Sequence, residues 1–167
     1  MNETPGADWV EQLMRNFRDR LTGALYEGIY TLEGPELTRV LDAQAETCVH
    51  AFAALAEIPP DLPFDAFIER MKTAGPGTVR VERISGDELL WTELHHGECV
   101  CPHVRQGVIR LDPKLCLCGE TWVRLLVERH ARRHATVEMV ESVATGSQNC
   151  IYRIGLGGPI GVEETSG

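Results

Sequence analysis

No apolar run in this chain approaches the roughly 20 residues that a membrane-spanning helix needs, so no transmembrane helix is expected. The opening residues, MNETPGADWVEQL, lack a basic patch followed by an apolar stretch, and no secretory signal peptide is read there. The expected setting is a reducing cytoplasm, where structural disulfides are uncommon and clustered cysteines point to metal or catalysis. Positive charge is scarce. Sixteen Lys and Arg stand against 25 Asp and Glu, a formal net charge of −9. That balance argues against non-specific binding to nucleic acid or an anionic membrane surface. No DNA-binding motif and no internal repeat are present. Hydrophobic residues are not lacking: at 43% of 167 residues they suffice for the core of one soluble domain spanning 1–167.

What is plentiful is cysteine, and it is concentrated. Four of the six cysteines form two Cys-x-Cys pairs, Cys99/Cys101 and Cys116/Cys118, and three of the six histidines (His95, His96, His103) flank the first pair. On an extended chain, residues i and i+2 point to the same side, so each pair is expected to present two sulfurs to one point. Pro102 favours an extended Cys101. Two turn signals, Arg105-Gln106-Gly107 and Leu111-Asp112-Pro113, bracket an expected short strand over 108–111, and a hairpin there would bring the pairs face to face. Such a donor set suits zinc, and an all-thiolate set also suits an iron–sulfur cluster. Against this, Cys-x-Cys is less diagnostic of zinc than Cys-x2-Cys, and reduced, inert cysteines are the plain alternative.

Hydrophobic periodicity divides the chain. Residues 8–30 read as an amphipathic helix with Trp9 or Val10, Leu13, Phe17, Leu21 and Leu25 on its apolar side. After Gly34-Pro35, a second helix over 36–57 carries Leu37, Leu41, Ala45, Cys48, Phe52 and Leu55 on a narrow stripe suited to another helix of the chain or of a partner. Cys48 reads as plain core there. A third helix spans 64–74, closed by Gly75-Pro76-Gly77. Then the period becomes alternating: strands over 79–84 and 89–94 flank a Ser85-Gly86-Asp87 turn. A long late helix follows Cys118, with Cys116 and Cys118 at its start, where the helix dipole favours thiolate. Strands over 134–144 and 150–154 close the fold, the second with Cys150, Tyr152 and Ile154 on one face. Residues 156–167 read as a flexible tail. The class is α+β: N-terminal helices (8–74), then a mostly antiparallel sheet with one late helix (78–155).

Glu141 falls on the face of Val137, Met139 and Val143. It is either buried and partnered or on a solvent face near a strand end. Cys101 and His103 are close in sequence, and Arg105, Arg110 and Lys114 are basic groups expected to lower a nearby thiol pKa or to hold an anionic ligand.

Cys101-Pro102, a cysteine before a helix at 116 or 118, and Glu141-Ser142-Val143-x-x-Gly146-x-x-x-Cys150-x-Tyr152-x-Ile154 together resemble a known superfamily. It includes the bacteriochlorophyll-type 4-vinyl reductase domain, the L-2-amino-thiazoline-4-carboxylic acid hydrolase-like family and the cysteine-bearing sensor half of some iron–sulfur and methanogen regulators. The resemblance covers the C-terminal two-fifths; the N-terminal helices match in layout only. It implies an α+β small-molecule-binding fold, often with a cysteine-ligated metal. Carried over, Cys150 fits a ligand position and Glu138 or Glu141 the acid, while Ser142 stands where another cysteine would. In the regulators' pattern Cys101, Cys116 or Cys118, and Cys150 are the counterparts, at different spacings, and no DNA-binding half is read here.

The expectation is a metal- and small-molecule-binding domain, zinc before iron–sulfur, with Cys99, Cys101, Cys116 and Cys118 as ligands and Cys150 or His103 as replacements. The alternatives are a hydrolase of a cyclic amidine or thiazoline, using a thiolate or metal-bound water with Glu141 or His103 as base, and a homodimerising module with inert cysteines.

Overall fold

The computed structural model describes residues 7–74 and 78–160. The Gly75-Pro76-Gly77 turn and the tail beyond Ile160 lie outside them. Three helices come first: α1 (Ala7–Ile29), α2 (Gly34–Leu55) and α3 (Phe64–Met71). A hairpin of β1 (Thr78–Arg83) and β2 (Glu88–Leu94) follows. Then come a short helix α4 (Pro102–Arg105), a 3-10 turn (Pro113–Cys116), the late helix α5 (Leu117–Ala131), and strands β3 (Arg133–Glu141) and β4 (Cys150–Pro159). The four strands form one antiparallel sheet in the order β1-β2-β4-β3. The α+β class stands.

Strict alternation builds the sheet's inner face. Leu89, Trp91 and Glu93 of β2, and Cys150, Tyr152, Ile154 and Leu156 of β4, are buried, while their neighbours are not. Trp91 lies opposite Tyr152, and Glu93 opposite Cys150. α5 covers this face with Val123, Leu126 and Val127, all fully buried. Each such side chain contributes about 1.5–3 kcal/mol by leaving water. α3 adds Phe67 and Met71, and Phe67 stacks on the His130 ring at 4.1 Å. His130 is anchored by a 2.9 Å bond between Nδ1 and the Leu62 carbonyl. β3 is an edge strand with register shifts beside Ala135 and Met139. The N–H groups of those residues donate instead to Glu128 (2.9 Å) and Glu120 (2.8 Å) of α5, which fastens helix to sheet.

Four expectations are corrected. Residues 108–111 form no strand: Gly107 turns the chain at φ +69°, and the N–H groups of Val108 and Ile109 both donate to the His103 carbonyl. Ile109 and Leu115 then bury against Tyr30, Leu37 and Leu41 in a second apolar cluster. The tail is strand as far as Pro159, because Gly155, Leu156 and Pro159 pair with β3. A side chain at Gly155 would meet Thr136 Oγ1 at 2.8 Å, so glycine there lets the strands close. The seam of α2 runs through Leu37, Leu41, Ala45 and Val49, an i+4 row that leaves Cys48 and Leu55 exposed. Finally, the apolar side of α1 does not face the core. Trp9 (56% exposed), Val10, Leu13, Met14, Phe17 (63%), Leu21 and Leu25 (59%) all lie in solvent, and α1 is held chiefly by Tyr26, Ile29 and Tyr30 near its end.

Candidate functional site

The end of the sheet where β2 finishes and β4 begins gathers the cysteines. Two loops are stitched together there. The His95 N–H donates to Asn149 Oδ1 (3.1 Å), and the Gly97 N–H to the Gln148 carbonyl (2.8 Å). His96 (φ +53°) and Gly97 (φ +84°) turn the chain away from the strand. Since Glu93 and Cys150 are cross-strand partners and His95 continues the buried face of β2, the three side chains meet at this end.

The start of α5 is pressed onto the same place. A Cβ on Gly119 would come within 2.5 Å of the Tyr152 hydroxyl, so only glycine allows this approach, and it brings Cys116 near Cys150 of β4. Cys116 neighbours Ser142, the Ala144 backbone and Cys150. Cys118 neighbours Cys101 and Cys48, and Gln44 Nε2 reaches its sulfur at 4.0 Å. Cys99 stands between these groups, near Cys101, Cys116 and Cys150. All six cysteines are free: Cys48 is exposed, Cys150 is buried and the other four are half-buried.

The expected pairing is nevertheless corrected. Cys116 ends the 3-10 turn and Cys118 is helical, and on a helix residues i and i+2 are about 200° apart. The second Cys-x-Cys pair therefore splits. Cys116 neighbours Cys150, which acts on the His95 ring; Cys118 neighbours Cys101 and Cys48, near Tyr26 and Gln44; and Cys99 lies nearest Cys101. Thiolate character at the helix start is also overturned. Burial pushes the thiols of Cys116 and Cys118 up, and neighbouring cysteines add to it; Cys99 is pushed up to about 11, again by burial first. Arg105, Arg110 and Lys114 do not offset it. Arg105 faces Glu98, Arg110 pairs with Glu27 and Asp112 over the Tyr30 ring, and Lys114 donates to the Tyr30 and Leu32 carbonyls and to Glu33.

His95 and Glu93 carry the site's polarity. His95 Nε2 lies 2.9 Å from Glu93 Oε2, and the indole N–H of Trp91 donates to Glu93 Oε1 (3.3 Å). Burial alone would lower the imidazole pKa, but Cys150 and Glu93 outweigh it and raise it to about 9. The Cys150 sulfur is near enough to act on this ring, yet Nδ1 itself has no partner at hydrogen-bond geometry. Gln44 Oε1 is buried without a partner as well. Both orphaned atoms belong to residues that flank the cysteines. Among the described residues, no three His, Cys, Asp or Glu side chains are already gathered as a metal-holding group.

The other candidates stand apart. Glu141 is exposed beyond the bulge in β3, where its carboxylate accepts from Ser147 Oγ (2.7 Å), so the solvent-face reading of that strand end is the one the structure takes. Glu138 is exposed too. His103 is exposed on α4, tilted against Tyr26. Surface grooves occur along α2 (Pro35, Thr38, Asp42), between α2 and α5 (His50, Arg129) and across Thr136 and Arg153, none lined by a cysteine. Glu93 went unrecognised in the sequence, although the alternation Trp91-x-Glu93-x-His95 puts a carboxylate and an imidazole on the face of a buried tryptophan.

No family model matches the chain, and no curated protein does. One solved structure with a similar arrangement is the crystal structure of a trafficking protein particle complex subunit 3 from Naegleria fowleri covalently bound to palmitic acid. The similarity has a TM-score of 0.49 and 12% sequence identity, over 86% of this chain and 98% of that one. No described helix is long and apolar enough to cross a membrane.

Proposed function

We propose that this chain is a binding domain whose cysteine cluster takes a soft metal ion, zinc before an iron–sulfur cluster. The observation that carries this is the placement of five free cysteines, Cys99, Cys101, Cys116, Cys118 and Cys150, around one end of the sheet, with two orphaned buried polar atoms at their edge. Thiols buried together raise one another's pKa, and a divalent cation reverses that penalty by taking the charge of several thiolates at once. Coordination requires side-chain rotations that close the donors onto the ion. The test is metal and acid-labile sulfide content of protein purified anaerobically without a metal-affinity tag. About one zinc per chain without colour supports the reading, and iron with sulfide shifts it to the cluster. Protein free of both metals overturns it.

A second reading concerns assembly, and α1 favours it. Trp9, Leu13, Phe17, Leu21 and Leu25 form a row at i+4 spacing that is symmetric about Phe17, and all five are exposed. Two such rows pack against each other at a crossing near −50°. A two-fold axis at Phe17 would set Leu13 of each copy beside Leu21 of the other, the self-complementary contact of a homodimer. The first turns of α1 have little of their own chain to pack on, and short isolated helices are marginal in water. Light scattering is expected to give twice the chain mass, and a monomer at high concentration contradicts it.

A further inference from the structure

We propose that the free edge of β1 is a self-pairing surface. β1 of a second copy joins it antiparallel about a two-fold axis at Val81, so that the two sheets run on as one. The contact goes beyond the readings above and uses no residue of α1 and no cysteine.

Backbone geometry sets which residues can pair. β1 ends the strand order β1-β2-β4-β3, and no strand among the described residues lies on its outer side. The Ile84 N–H donates to the Glu88 carbonyl at 2.9 Å, which makes theirs a hydrogen-bonded pair. In an antiparallel ladder, bonded and non-bonded pairs alternate. Glu82 and Arg80, opposite Leu90 and Thr92, therefore turn their backbone groups to β2, while Val79, Val81 and Arg83 turn theirs outward. A row of outward N–H and C=O groups is a template for another strand. With the axis at Val81, that residue meets its own counterpart and Val79 meets Arg83 of the second copy. Each of these pairs exchanges both of its backbone bonds.

Side-chain charge then selects the register. Arg80 and Glu82 are both exposed, on the face of the strand opposite to Val79 and Val81, and their cross-strand neighbours Thr92 and Leu90 carry no charge. The two-fold at Val81 sets Arg80 of each copy opposite Glu82 of the other, at the non-bonded positions where side chains come closest. An axis at Arg80 would oppose two arginines, and one at Glu82 two carboxylates; like charges directly opposite are destabilising. Arg80-Val81-Glu82 is self-complementary about its central residue alone, as an isologous contact requires. On the inner face Val81 is half-buried against the core, and its counterpart extends that apolar contact across the axis. β1 is six residues long, well short of the roughly 20–30 residues a side of a stable interface. The contact is therefore weak, and it links copies only at concentrations above those at which the α1 rows pair.

The test is sedimentation of the whole chain carrying Phe17→Glu, which disables the α1 row, with hydrogen exchange read at the β1 amides. At high concentration this chain is expected to dimerise, and exchange at Val79, Val81 and Arg83 to slow as concentration rises. Glu82→Arg in that background is expected to weaken the dimer about 10-fold or more, because two attractive pairs become repulsive. Exchanging the charges, Arg80→Glu together with Glu82→Arg, is expected to restore it. Both positions are exposed, so these variants are expected to keep the fold. A chain that stays monomeric at every concentration, a Glu82→Arg dimer as strong as its parent, or a charge exchange that fails to restore the dimer overturns the proposal. So do β1 amides equally protected at low and high concentration, which would show that the chain covers its own edge.

Discussion

Two regions of this molecule invert the usual arrangement of polar and apolar groups, in opposite directions. Along α1, large apolar side chains lie in water; at the end of β2 and β4, the Glu93 carboxylate, the His95 imidazole and the Cys150 thiol lie in the interior. Each is unfavourable for an isolated chain and becomes favourable once something binds. The first calls for a partner surface and the second for a charge. The difference teaches where each ligand's binding energy would enter: at α1 through area removed from water, at the sheet end through electrostatics in a dry environment.

The largest expected effect breaks the first half of the comparison. Phe17→Glu places two carboxylates at the proposed two-fold axis and is expected to weaken self-association about 100-fold or more, the scale of a central interface residue near 3 kcal/mol. Sedimentation reads it, and metal content should stay unchanged. Unchanged association in that variant removes α1 as the interface.

Next comes Gly119→Ala, which sharpens the second half. Its Cβ collides with the Tyr152 hydroxyl, so the start of α5 must lift from β4. The expected cost is about 1–3 kcal/mol, read as a lowered Tm together with weaker zinc binding. A variant as stable as wild type shows that the close approach is not needed.

A smaller effect concerns pH. Burial holds the His130 imidazole below its ordinary range, with Arg129 and Arg132 acting the same way against the Leu62 carbonyl. The unfolded chain takes up the proton at ordinary imidazole pH while the folded chain does not. Stability is therefore expected to fall as pH drops through about 6.5. His130→Gln should flatten that part of the denaturation curve; an unchanged slope assigns it to other groups. The smallest effect is expected for Glu141→Gln, an exposed change of under about 0.5 kcal/mol with no change in metal content. A clear loss of zinc there would return Glu141 to the site.

Most of the architecture was legible in the sequence. Period 3.6 marks α1, α2 and α5, and period 2 marks β1, β2 and β4, because each element buries one face. What periodicity does not encode is what covers that face. The stripe Leu13, Phe17, Leu21 has the same spacing whether it packs on its own chain or on another, and so the outward face of α1 was missed. The Cys-x-Cys pairs failed for a related reason. Their spacing converges only on an extended chain, and whether Cys116–Cys118 is extended depends on where α5 begins, set by Gly119 against Tyr152. Glu93 and His95 were within reach, since a charged residue alternating with Trp91 signals a partnered interior.

Native mass spectrometry from a volatile neutral buffer tests both regions together, because one spectrum reports chain number and bound metal. The account predicts a dimer carrying one zinc per chain. A metal-free monomer would contradict it.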